Sequence, residues 1–242
     1  MQPLVTTVIP AFNAERFLAA TIESALAQDY NPHEVIVIDD GSTDATPEIV
    51  GRFEGVRYMR QENGGPAAAR NAGTAAAAGE MVCCLDHDDL MPPGRLRRQV
   101  SYLLEHPGSG VVLGLQDLLV EPGVEPPEWA RRPRLPAPGS GSMEPNDNPY
   151  YPVCTALTCG WVFDRVGYFD LSFRIAADVD WLFRVLDAGI EVGMLDEVFL
   201  VRRLHGANLT YDTARNWSDM VRILKARIDR KRSGATPAQS GP

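Results

Sequence analysis

Two apolar runs in this chain each end in acids, and that arrangement limits the folds open to it. Val35-Ile36-Val37-Ile38 runs into Asp39-Asp40, and Met81-Val82-Cys83-Cys84-Leu85 runs into Asp86-His87-Asp88-Asp89. Short unbroken apolar runs of this kind read as buried strands. Polar residues at the carboxyl ends of such strands mark where open α/β sheets bind ligands. Like charges this close repel unless a cation joins them, and hard divalent cations prefer oxygen ligands. Residues 86 to 89 therefore read either as a magnesium or manganese site that holds a diphosphate, or as a solvated turn capping the next helix.

The surrounding pattern is one of alternation. Leu4 to Ile9 reads as a first strand, broken by Pro10. Ala14 to Gln28 carries Phe17, Leu18, Ile22, Ala25 and Leu26 at helical spacing. The turn Asp39 to Asp44 precedes a helix from about Ala45 to Phe53, and Val56 to Met59 is a third strand. Gly64-Gly65-Pro66 opens an alanine-rich helix to Ala78, stopped by Gly79. Strands alternating with helices imply βαβ units and a mostly parallel, twisted sheet.

Four strings occur in order: Val8-Ile9-Pro10-Ala11-Phe12-Asn13-Ala14, Asp39-Asp40-Gly41-Ser42-Thr43-Asp44, Gly65-Pro66-Ala67-Ala68-Ala69-Arg70-Asn71-Ala72-Gly73 and Asp86-His87-Asp88-Asp89. Together they resemble the family 2 glycosyltransferases of the GT-A fold, over roughly residues 4 to 210. The resemblance implies an α/β fold: a Rossmann-like, open, twisted, mostly parallel sheet flanked by helices, with a C-terminal acceptor-side subregion. It implies transfer of a sugar from a nucleotide donor, UDP-linked by expectation, to an acceptor hydroxyl, with inversion and with Mn2+ or Mg2+. The acceptor is expected to be a carbohydrate, a lipid-linked molecule or another hydroxyl compound. Residues 1–212 then form the catalytic domain: 1–115 the nucleotide-sugar half, 116–152 a mobile loop, and 153–212 the acceptor half.

On this resemblance the loop Pro10 to Asn13, which carries Phe12 and Asn13, lies beside the nucleotide base. Phe12 either stacks on uracil or packs in the core. Asp40 stands where the family accepts the uracil N3–H, a donor that cytosine lacks. Asp39 holds the turn or caps the helix. Arg70 contacts the base or a phosphate, or makes a structural ion pair. Asp86 reaches the ribose or the metal shell, and Asp88 binds the ion directly. Asp89 reads as a helix cap before Pro92-Pro93, and His87 as pointing away.

Residues 121 to 152 hold nine of the nineteen prolines and read as a lid or acceptor loop, in which Trp129 is a sugar platform or a buried anchor. Thr155 to Cys159 and a short helix from Trp161 follow. Ala177-Asp178-Val179-Asp180-Trp181 occupies the place where family members carry Glu-Asp, so Ala177 is a departure. Asp178 is then the general base, with Asp180 as rival; two positions apart at a helix start, both cannot face one acceptor. His205 in His205-Gly206-Ala207-Asn208-Leu209-Thr210 resembles the family's His-x-x-Asn element. It completes the metal shell, which would tilt the site toward manganese, or is structural. Arg202 and Arg203 stand where they can meet phosphates.

A chain of 242 residues can bury one sizeable core. It has no 18-residue apolar run and no signal peptide at its start, so a cytoplasmic enzyme adding one or few sugars is the expectation. Four cysteines make no disulfide framework, and a net charge of −9 disfavours nucleic acid as a partner. A basic helix is expected at 213–232, with Trp217, Met220, Val221, Leu224 and Ile228 on one stripe. Three roles are open to it: packing on the domain, peripheral contact with the inner membrane surface, or a dimer contact. Residues 233–242 read as a disordered tail. Two other classes compete with a transferase. A nucleotidyltransferase would want a glycine-rich triphosphate loop with a lysine, which is missing; a non-catalytic sugar-nucleotide binder is made thinkable by Ala177.

Overall fold

The computed structural model describes residues 1–127, 153–173, 175–209 and 213–233, save the side chains of 213–217 and 233. Trp129, most of the proline-rich loop, Thr210 and the tail lie outside the described residues. Seven strands form one mixed sheet in the order β3-β2-β1-β4-β6-β5-β7. They are β1 (Val5–Ala11), β2 (His33–Asp39), β3 (Val56–Arg60), β4 (Met81–Cys84), β5 (Ser109–Val120), β6 (Leu157–Cys159) and β7 (Glu191–Leu204). β1 pairs in parallel with β2 and β4, β2 with β3, and β5 with β7. The short β6 is antiparallel to both β4 and β5. Two reversals restore direction, so β1, β2, β4 and β7 all end at the same edge of the sheet.

Helices cover both faces. They are α1 (Leu18–Leu26), α2 (Thr46–Val50), α3 (Pro66–Ala76), α4 (Arg95–Glu105), α5 (Gly160–Val166), α6 (Ala177–Asp187) and α7 (Thr213–Ser233). One apolar cluster joins α3, α5 and α6 to the sheet around Val8, Ile36, Phe163 and Trp181. The other joins α1 and α4 to the opposite face around Ile9, Ile22, Leu96 and Leu200. The alanine richness of α3 has a steric reason. A Cβ on Gly73 would lie 2.2 Å from Val8 Cγ1, so the helix rests almost directly on β1.

Pro10 does not break β1. The Val8 carbonyl accepts Leu85 N–H on the β4 side, and the Ala11 carbonyl accepts Asp40 N–H on the β2 side. By alternation Pro10 faces the β4 side, where β4 has already ended, so its missing N–H costs no ladder bond. β5 runs to Val120, so residues 116–120 belong to the sheet and not to the loop expected from residue 116.

α7 also differs from expectation. Its docked face carries Asp219 and Ile223, with Met220 beside them, whereas Val221, Leu224 and Ile228 of the expected stripe are exposed. No helix among the described residues is long and apolar enough to cross a membrane.

Candidate active site

The carboxyl ends of β1 and β2 are sewn together by their own side chains. Asn13, at φ 48°, accepts the N–H of Thr43 through Oδ1 at 2.9 Å and donates its own N–H to Ser42 Oγ. Ala14 N–H reaches Thr46 Oγ1 at 2.8 Å. Phe12, between these anchors, is 44% exposed and so is not a core residue. Asp39 is fully buried: it accepts Ser42 N–H, the Tyr58 hydroxyl at 2.6 Å and Arg60 Nη1 at 2.9 Å. Burial opposes its ionisation, but the Tyr58 and Ser42 hydrogen bonds and the Arg60 charge prevail and hold its carboxyl below the usual range.

Asp40 gathers the next loop. Its Oδ1 accepts Gln61 Nε2 and Gly64 N–H, and its Oδ2 accepts Gly65 N–H at 2.8 Å. Gly65 supplies the positive φ, 87°, that turns the chain into α3. A carboxylate has about four acceptor directions. Asp40 therefore keeps one for an outside donor.

Arg70 stands one turn into α3 and meets Asp86 at the end of β4. Its Nη2 lies 2.6 Å from Asp86 Oδ1, and Cys154 Sγ is 3.3 Å from the other oxygen. Burial disfavours the Asp86 anion, but Arg70 outweighs it and holds the carboxyl below the ordinary range. Arg70 Nε is buried with no hydrogen-bond partner among the described residues. Arg70 also acts on Asp178 at the start of α6. Burial pushes the Asp178 carboxyl up, and the Arg70 charge opposes that rise. Asp178 Oδ1 accepts only the N–H of Val179 among the hydrogen bonds the structure gives it. Asp180 is differently placed. It is buried, with Arg184 Nε at 2.8 Å on one oxygen and Arg230 Nη2 at 3.1 Å on the other. The two candidate bases are thus separated: Asp180 is spent on structure.

Asp88 meets the end of β7. Its Oδ2 lies 2.9 Å from His205 Nε2 and 3.3 Å from Asn208 Nδ2. Asn208 Oδ1 in turn accepts His205 N–H at 2.6 Å, which fixes the turn. Ala207 N–H points at His205 Nδ1, so a neutral ring carries its proton on Nε2, toward Asp88. Phe17 packs on the His205 ring at 5.0 Å between centroids, with the Arg203 guanidinium 4.7 Å from the Phe17 ring. Arg203 also pairs with Glu121 at 2.6 Å, tying β7 to the residue that follows β5.

The donor set fits a divalent ion. Two ligands about 2.1 Å from an octahedral ion and at right angles are roughly 3 Å apart. Asp88 Oδ2 and His205 Nε2 have that separation through the hydrogen bond between them, which an ion would have to displace. A carboxylate oxygen and an imidazole suit manganese better than magnesium. No group of three or more acidic, histidine or cysteine ligands occurs among the described residues, so phosphate oxygens and water would supply the other positions.

Two expectations are corrected here. Asp89 is not a helix cap: its Oδ1 accepts Arg203 N–H across to β7 at 2.8 Å. Burial and the charges of Asp88 and Asp86 push its carboxyl well up. His87 does not point away: its Nδ1 lies 3.2 Å from the Pro10 carbonyl and joins the β4 end to the β1 loop. Cys154, Phe17 and Asn208 enter the site without having been singled out. Only Asn208 had a signal, its spacing of three from His205.

Residues 6–169 match the model for glycosyl transferase family 2. An uncharacterized glycosyltransferase of Rickettsia typhi is 31% identical over 237 residues, covering 92% of this chain and 73% of that one. The succinoglycan biosynthesis protein ExoO of Rhizobium meliloti is 44% identical over 102 residues, 41% of this chain and 29% of its own. Among solved structures, S. aureus TarS 1–349 in complex with UDP superposes with a TM-score of 0.71 at 22% identity, over 93% of this chain and 65% of that 1–349 chain. The mannosyltransferase PcManGT of Pyrobaculum calidifontis, in complex with GDP-Man and Mn2+, gives 0.71 at 20% identity, over 95% of this chain and 65% of its own. At that identity the likeness is one of fold, the GT-A sheet.

Proposed function

Since this chain belongs to glycosyl transferase family 2, we propose that it moves a sugar from a nucleotide donor to an acceptor hydroxyl by a single inverting displacement. The observation that supports this most is the meeting of Asp88 with His205 at the same sheet edge as the Arg70–Asp86 pair and the Asp178 carboxylate, which has no ion pair among the described residues. The donor is UDP-linked in this reading. Phe12 offers an exposed ring to the base, Asp40 its one remaining acceptor direction, and Pro10 and Asn13 the loop that carries them.

An acceptor hydroxyl is a poor nucleophile, and Asp178 takes its proton as the new bond forms. Its raised pKa makes it a better base at neutral pH than an ordinary aspartate. Arg70, with one N–H unspent among the described residues, faces the charge that develops on the leaving diphosphate. Asp86 keeps Arg70 aimed and can reach the ribose. Asp88 and His205 would hold Mn2+ or Mg2+, which supplies charge neutralisation of the diphosphate when bound. A base on the face opposite the leaving group gives inversion without a covalent intermediate.

The enzyme is proposed to work in the cytoplasm, with peripheral contact at the inner membrane surface through 213–232. The support for that contact is the exposed row Val221, Leu224 and Ile228 beside Lys225 and Arg232. Thermal-shift titration of nucleoside diphosphates and sugar nucleotides, with and without manganese, tests the donor reading. A rise in Tm with UDP or a UDP-sugar that needs the metal is expected; no response to any nucleotide overturns it.

A further inference from the structure

The helix that carries Asp178 is held from outside by α7. Ile223 is fully buried, and Met220 packs on the cluster containing Trp181 and Phe183. Polar ties flank this contact. Asp219 Oδ2 accepts Ile175 N–H at 3.0 Å, and Arg222 Nη1 donates to the Ser172 carbonyl at 3.1 Å. Arg230 reaches Asp180 at 3.1 Å, and Arg227 grips both oxygens of Asp187. Positions 219, 223, 227 and 230 fall on one helical face. Its contacts run from the turn before α6, through the first turn, to its last residue.

Apolar contact alone would dock a helix. Asp219 instead buries a carboxylate, 6% exposed, on a main-chain N–H three residues before Asp178. Burying a charge is unfavourable unless it is paired and hydrogen-bonded, and here Arg222 Nη1 lies 3.3 Å from Asp219 Oδ1 while Oδ2 is given to the Ile175 N–H. Arg230 then closes on Asp180, two residues past Asp178. The acid is therefore bracketed on both sides by α7, in a region beyond the last residue, 169, of the family match.

We propose that Asp219 and Arg230 are positioning residues that set the first turn of α6 and thereby aim the Asp178 carboxylate. This rests on Asp178 being the base. The test uses the full chain and the variants Asp219→Ala, Asp219→Asn and Arg230→Met. Asparagine keeps an oxygen for Ile175 N–H; alanine does not. Hydrogen exchange is read on peptides covering residues 172–180. Nucleotide release from UDP-GlcNAc and from GDP-mannose with manganese is read as separate kcat and KM.

In Asp219→Ala, exchange at 172–180 should rise and kcat fall by about tenfold to a hundredfold, as a misplaced reacting group predicts. KM for the donor should stay within about twofold, because an interaction felt at the transition state is lost. Asp219→Asn should restore both, and Arg230→Met should lower kcat in the same direction. Unchanged exchange in Asp219→Ala, or raised exchange with kcat intact, overturns the inference. So does a rise in KM at constant kcat. If Asp219→Ala does not fold, Asp219→Asn and Arg230→Met decide it by the same split. Asp178→Asn is measured alongside. Wild-type rates in that variant would remove Asp178 as the base, and exchange would still decide whether Asp219 holds the turn.

Discussion

Asp88 Oδ2 and His205 Nε2 lie 2.9 Å apart although 117 residues separate them in the chain. One is at the end of β4 and the other at the end of β7, so only the completed sheet brings them together. On the proposed metal reading an ion would take the place of this hydrogen bond once the ring proton shifts from Nε2 to Nδ1, displacing the Ala207 N–H. Asp88→Ala should therefore remove the manganese-dependent part of UDP binding, seen as loss of the metal-induced rise in Tm. His205→Gln should weaken manganese more than magnesium, because it exchanges an imidazole for an oxygen ligand. Calorimetric titration of each metal in the presence of UDP checks this; an unchanged manganese affinity in both variants sinks the assignment.

Asp178 and Asp180 should separate by stability, since Asp180→Leu also frees Arg230 and lowers the rate in the same sense as Arg230→Met. Asp178→Asn should leave donor affinity intact and lower transfer by on the order of 10² to 10⁴, the usual worth of a positioned base. Asp180→Leu leaves Arg184 and Arg230 facing an apolar side chain and should cost about 3 to 5 kcal/mol of stability, the scale for breaking a buried ion pair. Donor-release rates and urea midpoints on both variants measure the two effects. Near-normal rates in Asp178→Asn would leave the role of base without a holder on α6.

His33 gives the fold a pH dependence unrelated to the site. Burial lowers its pKa to about 4, against a smaller upward pull from Glu34, and its Nε2 meets Thr7 Oγ1 at 2.9 Å. In the unfolded chain the ring titrates near 6.5. The folded state thus prefers the neutral ring. Its contribution is complete above about pH 6.5 and is lost as pH falls toward 4. His33→Gln keeps a partner for Thr7 but does not titrate. The stability difference between pH 7 and pH 4.5, from urea unfolding, should be smaller in this variant by on the order of 2 kcal/mol. An equal difference in both proteins would show that burial does not depress the ring.

Of the first four strands, β2 and β4 were readable as apolar runs with sharp punctuation, and β1 and the polar-studded β3 by their place between helices and turns. β5 and β7 were not. Beyond Leu115 the outer half of β5 carries Gln116 and Asp117, and β7 mixes Asp196, Glu197, Arg202 and Arg203 with its apolar residues. Neither keeps a period of two, since the pair twists past the sheet with register shifts. Asp89 was misread for a related reason. Its partner, Arg203 N–H, lies more than a hundred residues away, whereas a cap is a local reading. On α7 the apolar moment pointed to Val221, Leu224 and Ile228. The docked face is chosen instead by Ile223 and by ion pairs with α6, which no local pattern contains. Acids at strand ends divide: Asp88 meets His205 as the sequence reading expected, whereas Asp39 and Asp89 are taken up by Tyr58, Arg60 and the Arg203 N–H, which no local pattern contains.

That inversion of α7 sharpens the last prediction. With Ile223 and Asp219 turned to the protein, Val221, Leu224 and Ile228 are 63%, 46% and 51% exposed, and Lys225 and Arg232 are exposed on the same helix. A protein of net charge −9 is repelled by an anionic bilayer except where such a row presents itself. Each basic residue near that surface contributes about 1 kcal/mol, screened within a Debye length. The chain should float with anionic vesicles at low salt, remain below them at high salt, and ignore zwitterionic ones. Leu224→Glu should abolish flotation with little change in Tm, since the side chain lies outside the buried cluster and is 46% exposed. Failure to float at low salt would remove the membrane contact. The acceptor would then be sought among soluble carbohydrates, and α7 would keep only its hold on α6.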